Sequence, residues 1–292
     1  MTTEDQLIVL FCLIDDWVQA HPLPRRRGPH PRCADSEVLT VAVAREVFEG
    51  RSERSFRRRV RREWRHLFPH LPAQSELNRR TRWLQGALER LRRFLVDQVP
   101  SATSTLLGID TSPLPVKRRT RVRPGRGATF DGPGHLTAGF GYCAAKREWF
   151  YGFRLAVLGP LADGVPRHWA LCPAAVDERE VAAELLRGEA HLALVADRGF
   201  DGAAMRDRLA AQDGLLLTPP RKLRRYQPAP LVRAFVRRRR NRCERPFAVL
   251  QDRFALYRHR ARTFWGLLTR VTAKLAAFAL LTLWRHQGHD VE

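Results

Sequence analysis

The pattern of apolar residues changes character near residue 104, and that change limits the folds open to this 292-residue chain. Before it, apolar residues recur at helical spacing. An apolar-rich segment runs from Leu7 to Val18, and a Pro- and Arg-rich connector follows from His21 to Pro31. Asp35 is placed to cap a helix through Val38, Val41, Ala42 and Phe48 that ends at Gly50. Ser55 to Trp64 reads as a short basic helix. Ser75 opens a longer one carrying Leu77, Leu84, Leu88, Leu91 and Leu95. After residue 104 the apolar runs become short and strand-like: Thr105 to Asp110, Leu136 to Cys143, Trp149 to Leu158, His168 to Cys172, Leu192 to Ala196 and Leu215 to Thr218. Asp177 and Glu180 form a capping-box pattern before the helix from Val181 to Leu186. Strands mixed with helices imply an α/β domain with a mixed sheet. The expected organisation is a helical domain over residues 1–103 and an α/β domain over 104–287.

Two of these strand-like runs end in an aspartate. Asp110 closes Leu106-Leu107-Gly108-Ile109-Asp110, and Asp197 follows Leu194-Val195-Ala196, with Gly199 allowing a tight exit. Both are expected where a buried strand emerges into a loop. Glu244 lies in a basic helical stretch, at the edge of an apolar stripe of Cys243, Phe247, Leu250 and Phe254. Carboxylates brought together repel one another, and divalent cations relieve that repulsion. Hard oxygen donors suit magnesium or manganese. Two such ions hold a phosphodiester, one activating water or a 3′-hydroxyl and the other stabilising the leaving oxygen. Taken alone, each acid has an ordinary reading: a turn former after a strand, or a surface partner for Arg240. Asp177 is the rival carboxylate, and its context favours a helix cap.

Charge supplies the partner. The chain has 52 Lys+Arg against 30 Asp+Glu, a formal net charge of +22, and both sides of residue 104 carry the excess. Such a surface draws phosphate backbones through counterion release. Only four lysines, Lys117, Lys146, Lys222 and Lys274, occur in the chain. GC-rich codons explain arginine over lysine but not the surplus of positive charge. Arg57, Arg58 and Arg61 on the basic helix, Arg118 and Arg119 in a Gly- and Pro-rich loop from Lys117 to Gly134, and Arg221, Lys222, Arg237 and Arg240 flanking Glu244 are the expected DNA contacts. Arg240, one turn before Glu244, is placed to grip a phosphate beside the metals. A compact helical unit with a basic middle helix resembles a helix-turn-helix DNA reader. The five cysteines are scattered and form no C-x-x-C, as expected of reduced, buried residues in a cytoplasmic protein. The acidic N-terminus is unlike a secretory signal, and the apolar run from Leu275 to Trp284 reads as a buried terminal helix, so no membrane association is expected.

At this point an ordered series of motifs resembles the DDE transposases of bacterial insertion sequences, specifically the nine-eighty-two group of the ribonuclease-H-like superfamily. The series comprises Gly108-Ile109-Asp110-Thr111-Ser112-Pro113-Leu114-Pro115-Val116, Gly141 to Lys146, Trp149 to Leu155, Ala196-Asp197-Arg198-Gly199-Phe200, Leu217 to Lys222, Arg240 to Phe247, and Arg262 to Arg270. Shorter matches, Asp35-Ser36-Glu37 and Phe68 to Pro72, extend it towards the N-terminus. The resemblance implies a ribonuclease-H-like mixed sheet flanked by helices, preceded by an all-helical, helix-turn-helix-like domain. It implies Asp110, Asp197 and Glu244 as a triad holding two Mg2+ (or Mn2+) ions. It also implies the reaction: cleavage at the element's terminal inverted repeats, then attack of the freed 3′-hydroxyls on double-stranded target DNA. A dimer or higher assembly of the chain would hold the two ends. The chain departs from relatives that carry Tyr seven residues before the Glu and Lys seven after, since Arg237 and Gln251 stand there. Pro246, two residues after Glu244, implies a helix that bends or restarts. Two alternatives stay open: a metal-dependent nuclease of the same fold without strand transfer, and an inactive DNA-binding relic.

Overall fold

A computed structural model describes residues 2–24, 28–48, 52–118, 120, 122, 130–134, 136–144, 147–220 and 229–289. The chain divides into two compact units. One comprises the residues up to Val99, together with Leu250–Arg260 and the stretch from Trp265 onward. The other comprises Pro100–Val249 and Ala261–Phe264.

The first unit is helical: α1 (Thr3–Ala20), α2 (Asp35–Phe48), α3 (Glu53–Glu63), α4 (Gln74–Trp83), α5 (Gln85–Asp97) and nearly all of α10 (Phe264–His286). Thr2 and Asp5 close a capping box on α1, and Ser52 caps α3 by accepting from the Ser55 N–H. Asp35 is the first residue of α2 rather than its cap, and its carboxylate pairs with the buried Arg80 of α4. The single helix expected from Ser75 is two helices. The chain turns at Leu84 (φ −83°, ψ 9°), with Gly86 weakening the turn that follows, and α4 begins behind Ala73 with no side-chain cap. α10 is long and apolar enough to cross a bilayer, yet 83% of its apolar window is buried inside the protein, the environment of a core helix. The cysteines are all free.

The second unit is built on a six-stranded mixed sheet: β1 (Leu106–Lys117), β2 (Gly139–Cys143), β3 (Glu148–Pro160), β4 (His168–Pro173), β5 (Ala193–Val195) and β6 (Leu215–Leu217). β3 lies antiparallel to β1, from Leu107↔Pro160 to Lys117↔Tyr151. Its other edge is shared, β2 pairing with the first residues of β3 and β4 with those from Phe153 onward. On the far side of β1 lie β5 and then β6, both parallel. An antiparallel group meeting a parallel pair across β1 is the ribonuclease-H-like arrangement. α6 (Glu178–Leu185) and α7 (Ala203–Ala210) cover one face, where Leu107, Ile109, Ala156, Leu158 and Leu194 pack with Val181, Leu185, Met205 and Leu209. On the other, Leu161, Val195 and Leu217 pack with Val236 of α8 (Pro230–Arg239) and Cys243 of α9 (Asn241–Asp252).

Candidate active site

Strand register sets the first two carboxylates side by side. β1 and β5 run parallel with Leu106↔Ala193, Leu107↔Leu194 and Gly108↔Val195. Carried two residues further, that register brings Asp110 level with Asp197. Side chains alternate along a strand, so Asp110 lies on the face of Gly108, against which α9 packs. Gly108 makes room there. A Cβ at that position would fall 2.6 Å from Leu161 Cδ2 and 3.1 Å from Cys243 Sγ, so a larger residue would have to displace the Leu161 side chain and crowd the helix. Cys243 Sγ in turn reaches the Val195 carbonyl at 3.4 Å. Glu244, the next residue, is carried to the same end of the sheet.

Asp110 is not at the end of its strand, contrary to expectation. β1 runs on through Pro113 and Pro115 to Lys117, and Asp110 sits mid-strand opposite Val157. The prolines are tolerated because β1 pairs with β5 only through Gly108. Beyond it that edge has no strand partner among the described residues, and a residue without an N–H breaks no ladder there. Asp197 does follow its strand, two residues beyond Val195. Pro246 falls inside α9, five residues after its start rather than in its first turn. Its ring lies beside the loop after β3, where Gly164 (φ +76°) would place a Cβ 3.4 Å from Pro246 Cγ.

The three acids share one electrostatic field. Burial pushes the Asp110 carboxyl up to about 7; the Thr111 N–H (2.8 Å) opposes this, while the charges of Asp197, Glu244 and Glu178 add to it. The Cys243 thiol is pushed up to about 12, by burial first and then by Asp110, Asp197 and Glu244. Asp197 is already engaged. Arg240 grips both of its oxygens, Nε to Oδ1 at 2.5 Å and Nη2 to Oδ2 at 3.2 Å. The bond to Asp197 holds the Arg240 pKa above the ordinary value. Arg240 therefore sits on a carboxylate rather than free for a phosphate. Among the described residues no three His, Cys, Asp or Glu side chains are close enough together to hold a metal ion. The donor types nonetheless suit a hard dication: acidic oxygens from β1, from the residues just after β5 and from α9.

Beside Asp197 opens a groove of about 630 Å³ lined by Arg198, Arg233, Arg237 and Arg240, with Pro219 and Pro220. Arg237 and Arg240 were expected near the site; Arg198 and Arg233 were not. Their signals were present, Arg198 adjoining Asp197 and Arg233 one helical turn before Arg237. Glu178 and Arg154 were also missed. Arg154 of β3 donates to the Tyr142 (2.9 Å) and Ala174 (3.1 Å) carbonyls and pairs with Glu178 at the start of α6. Asp177 caps α6, accepting from the Arg179 N–H. On α3, Arg58 and Arg61 are exposed, whereas Arg57 is part-buried and its Nε donates to the Pro72 carbonyl at 2.8 Å. Arg118 is exposed just after β1. Arg119, most of the loop after it, Arg221 and Lys222 lie outside the described residues.

Residues 103–280 match the Transposase DDE domain family. No curated protein sequence matches the chain. Among solved structures, the chain is similar to the piggyBac transposase in a synaptic complex with hairpin DNA, at 12% identity and a TM-score of 0.48, over 97% of this chain and 74% of that one. It is also similar to a pre-cleavage Mos1 transpososome, at 16% identity and a TM-score of 0.22, over 99% and 98% of the two chains.

Proposed function

The chain belongs to the DDE transposase family, and from that premise we propose that it cleaves DNA at the ends of a mobile element and transfers the 3′-hydroxyl ends to target DNA. Asp110, Asp197 and Glu244 are the proposed ligands of two Mg2+ or Mn2+ ions. The observation that carries the reading is the strand register that brings Asp110 level with Asp197, inside the family-matched segment and beside a groove of four arginines. When bound, the ions supply an activated oxygen nucleophile and charge stabilisation at the scissile phosphate.

The protein's own groups divide the remaining work. The Thr111 N–H fixes one Asp110 oxygen, and the close Gly108–Cys243 contact seats the helix that bears Glu244. Arg198, Arg233 and Arg237 line the groove as phosphate-binding cations, giving affinity and orientation without sequence readout. Arg240 exchanges partners, leaving Asp197 for a DNA phosphate as the strand enters. Two ends must be held together for joining, so the acting species is a dimer or higher assembly on DNA.

The test is an assay of cleavage and joining on DNA that carries the sequences flanking the coding region. Wild type and Asp110→Ala are compared with Mg2+ present or chelated. Metal-dependent joined product from the wild type alone is the expected result. Nicking without joining would reduce the activity to that of a nuclease, and binding without cleavage would leave only a DNA-binding relic.

A further inference from the structure

The helical unit carries a basic groove that no motif in the sequence signalled. It has a volume of about 250 Å³ and is lined by Arg45, Ser52, Arg54, Asn78, Arg258 and Arg260, with the charged groups beneath them. Glu46 lies between Arg45 (Nε to Oε1 at 3.0 Å) and Lys274 (Nζ to Oε2 at 2.6 Å). Glu53 lies between Arg45 (2.6 Å) and Arg270 (2.8 Å). Two carboxylates thus face three cations, and the floor keeps a net positive charge.

The same buried cations shape the rim. Lys274 Nζ donates to the Phe254 carbonyl at 2.5 Å, and Arg270 Nη1 to the His259 carbonyl at 2.8 Å. Two non-glycine residues in left-handed conformation mark this short segment, Ala255 (φ 48°) between the clamps and Arg260 (φ 53°) just after the second. Such conformations persist only where the surroundings impose them. Here they leave Arg258 and Arg260 exposed on the rim, with Arg54 of α3 also exposed. Some other exposed arginines of this unit are held by acids on their own helices: Arg79 by Glu76, Arg62 by Glu63, Arg93 by Glu89. Among the described residues no carboxylate pairs with Arg54, Arg258 or Arg260.

We infer that this groove binds the phosphate backbone of duplex DNA, through Arg54, Arg258 and Arg260 held over a buried, positively charged floor. The inference rests on the transposase reading for the identity of the polyanion, and it adds a contact made jointly by residues from before and after the catalytic stretch. The segment 254–260 follows the catalytic stretch in sequence yet belongs to the helical unit, so that unit's DNA surface is incomplete without residues from beyond the acidic triad.

The test measures duplex binding by full-length protein across a range of KCl concentrations, with metal chelated so that no strand is cut. The triple variant Arg54→Ala/Arg258→Ala/Arg260→Ala is compared with wild type and with a control, Arg79→Ala/Arg90→Ala/Arg93→Ala, that removes equal charge elsewhere on the unit. Thermal melts check that each variant is folded. Loss of three phosphate contacts should flatten the slope of log K against log[salt] by about 3, and weaken binding roughly tenfold or more near physiological salt. The control should change both much less. Equal losses in the two triples would reduce the effect to net charge and overturn the inference, as would an unchanged slope in the rim variant. Protection of the groove by inorganic phosphate, with duplex binding unaltered, would make it a small-anion site instead. These failures leave the cleavage and joining result untouched, whereas a wild type that binds no duplex would remove the transposase reading as well.

Discussion

Two groups of acids in this protein meet opposite fates. In the helical unit, burial pushes Glu46 and Glu53 up, but the charges of Arg45, Lys274 and Arg270 and their hydrogen bonds overcome it, and both end below the usual range. In the α/β unit, burial pushes Asp110 up to about 7 and its acidic neighbours add to the shift. Every acid of the first group is surrounded by cations; among the described residues the second has one arginine, on Asp197, for three acids. A carboxylate that serves only folding is satisfied by the fold itself. One left charge-poor and crowded with its own kind needs something from outside, and such groups gather at functional sites.

The sharpest way to break this contrast is to remove one acid from each group. Asp110→Ala or Asp197→Ala should leave a folded protein with joining activity down by roughly a thousandfold or more, since several kcal/mol of charge stabilisation at the phosphate would go. Cleavage assays on protein of verified melting temperature measure this. Near-normal activity in either variant would mean that the triad is not the reacting site. Lys274→Met should do the reverse. It leaves Glu46, only 1% exposed, with Arg45 alone and unclamps the Phe254 carbonyl. Breaking a buried pair from one side costs about 3–5 kcal/mol. Urea denaturation should register that loss, while metal-dependent nicking per folded molecule at saturating DNA, where a weakened groove no longer limits, stays close to normal.

The next test turns on pH. In the unfolded chain Asp110 ionises near pH 4, whereas in the folded metal-free protein it does so at about 7. Between those values the folded state holds the extra proton, so raising the pH across this window lowers stability. Asp110→Asn removes that dependence. Each pKa unit corresponds to about 1.4 kcal/mol, so the variant should be more stable than wild type by a few kcal/mol at pH 8 and nearly equal to it below pH 4. Denaturation at several pH values with chelator present gives the comparison. Identical pH profiles for the two proteins would show that Asp110 carries no such strain.

How far the sequence foretold all this depends on the range of each interaction. Strands from Trp149 to Leu158 and His168 to Cys172 were legible because alternation and apolar runs are local signals. Asp110 closes its apolar run, so the strand's continuation is not visible locally; Pro113 and Pro115 are tolerated in it because that edge of β1 has no strand partner among the described residues, a property of the sheet. The break at Leu84 is hidden inside an unbroken apolar period. The three acids of the candidate site were readable one by one, since each follows or sits in a recognisable element. What holds them was not: Arg240 meets Asp197 across 43 positions, and Gly108 meets Cys243 only in the folded protein. The grouping of α10 with the N-terminal helices is likewise long-range, and the basic groove of the helical unit depends on it.

The smallest expected effect is at Arg240, and it separates the two groups of ion pairs most finely. Like Lys274 and Glu46, Arg240 and Asp197 are oppositely charged and hydrogen-bonded. Their side chains, however, are 44% and 43% exposed, and solvent screens such a pair to about 1 kcal/mol or less. Arg240→Ala should therefore barely change the melting temperature. Freed of its guanidinium, Asp197 should take Mn2+ somewhat more readily in the absence of DNA, by a few-fold at most if the released energy is of that order. Binding of DNA should weaken, because a groove cation is lost. Calorimetric titration with Mn2+ and anisotropy with duplex DNA read the two effects separately. If Mn2+ and DNA binding fall together, Arg240 is a support for the site, not a group that moves between a carboxylate and a phosphate.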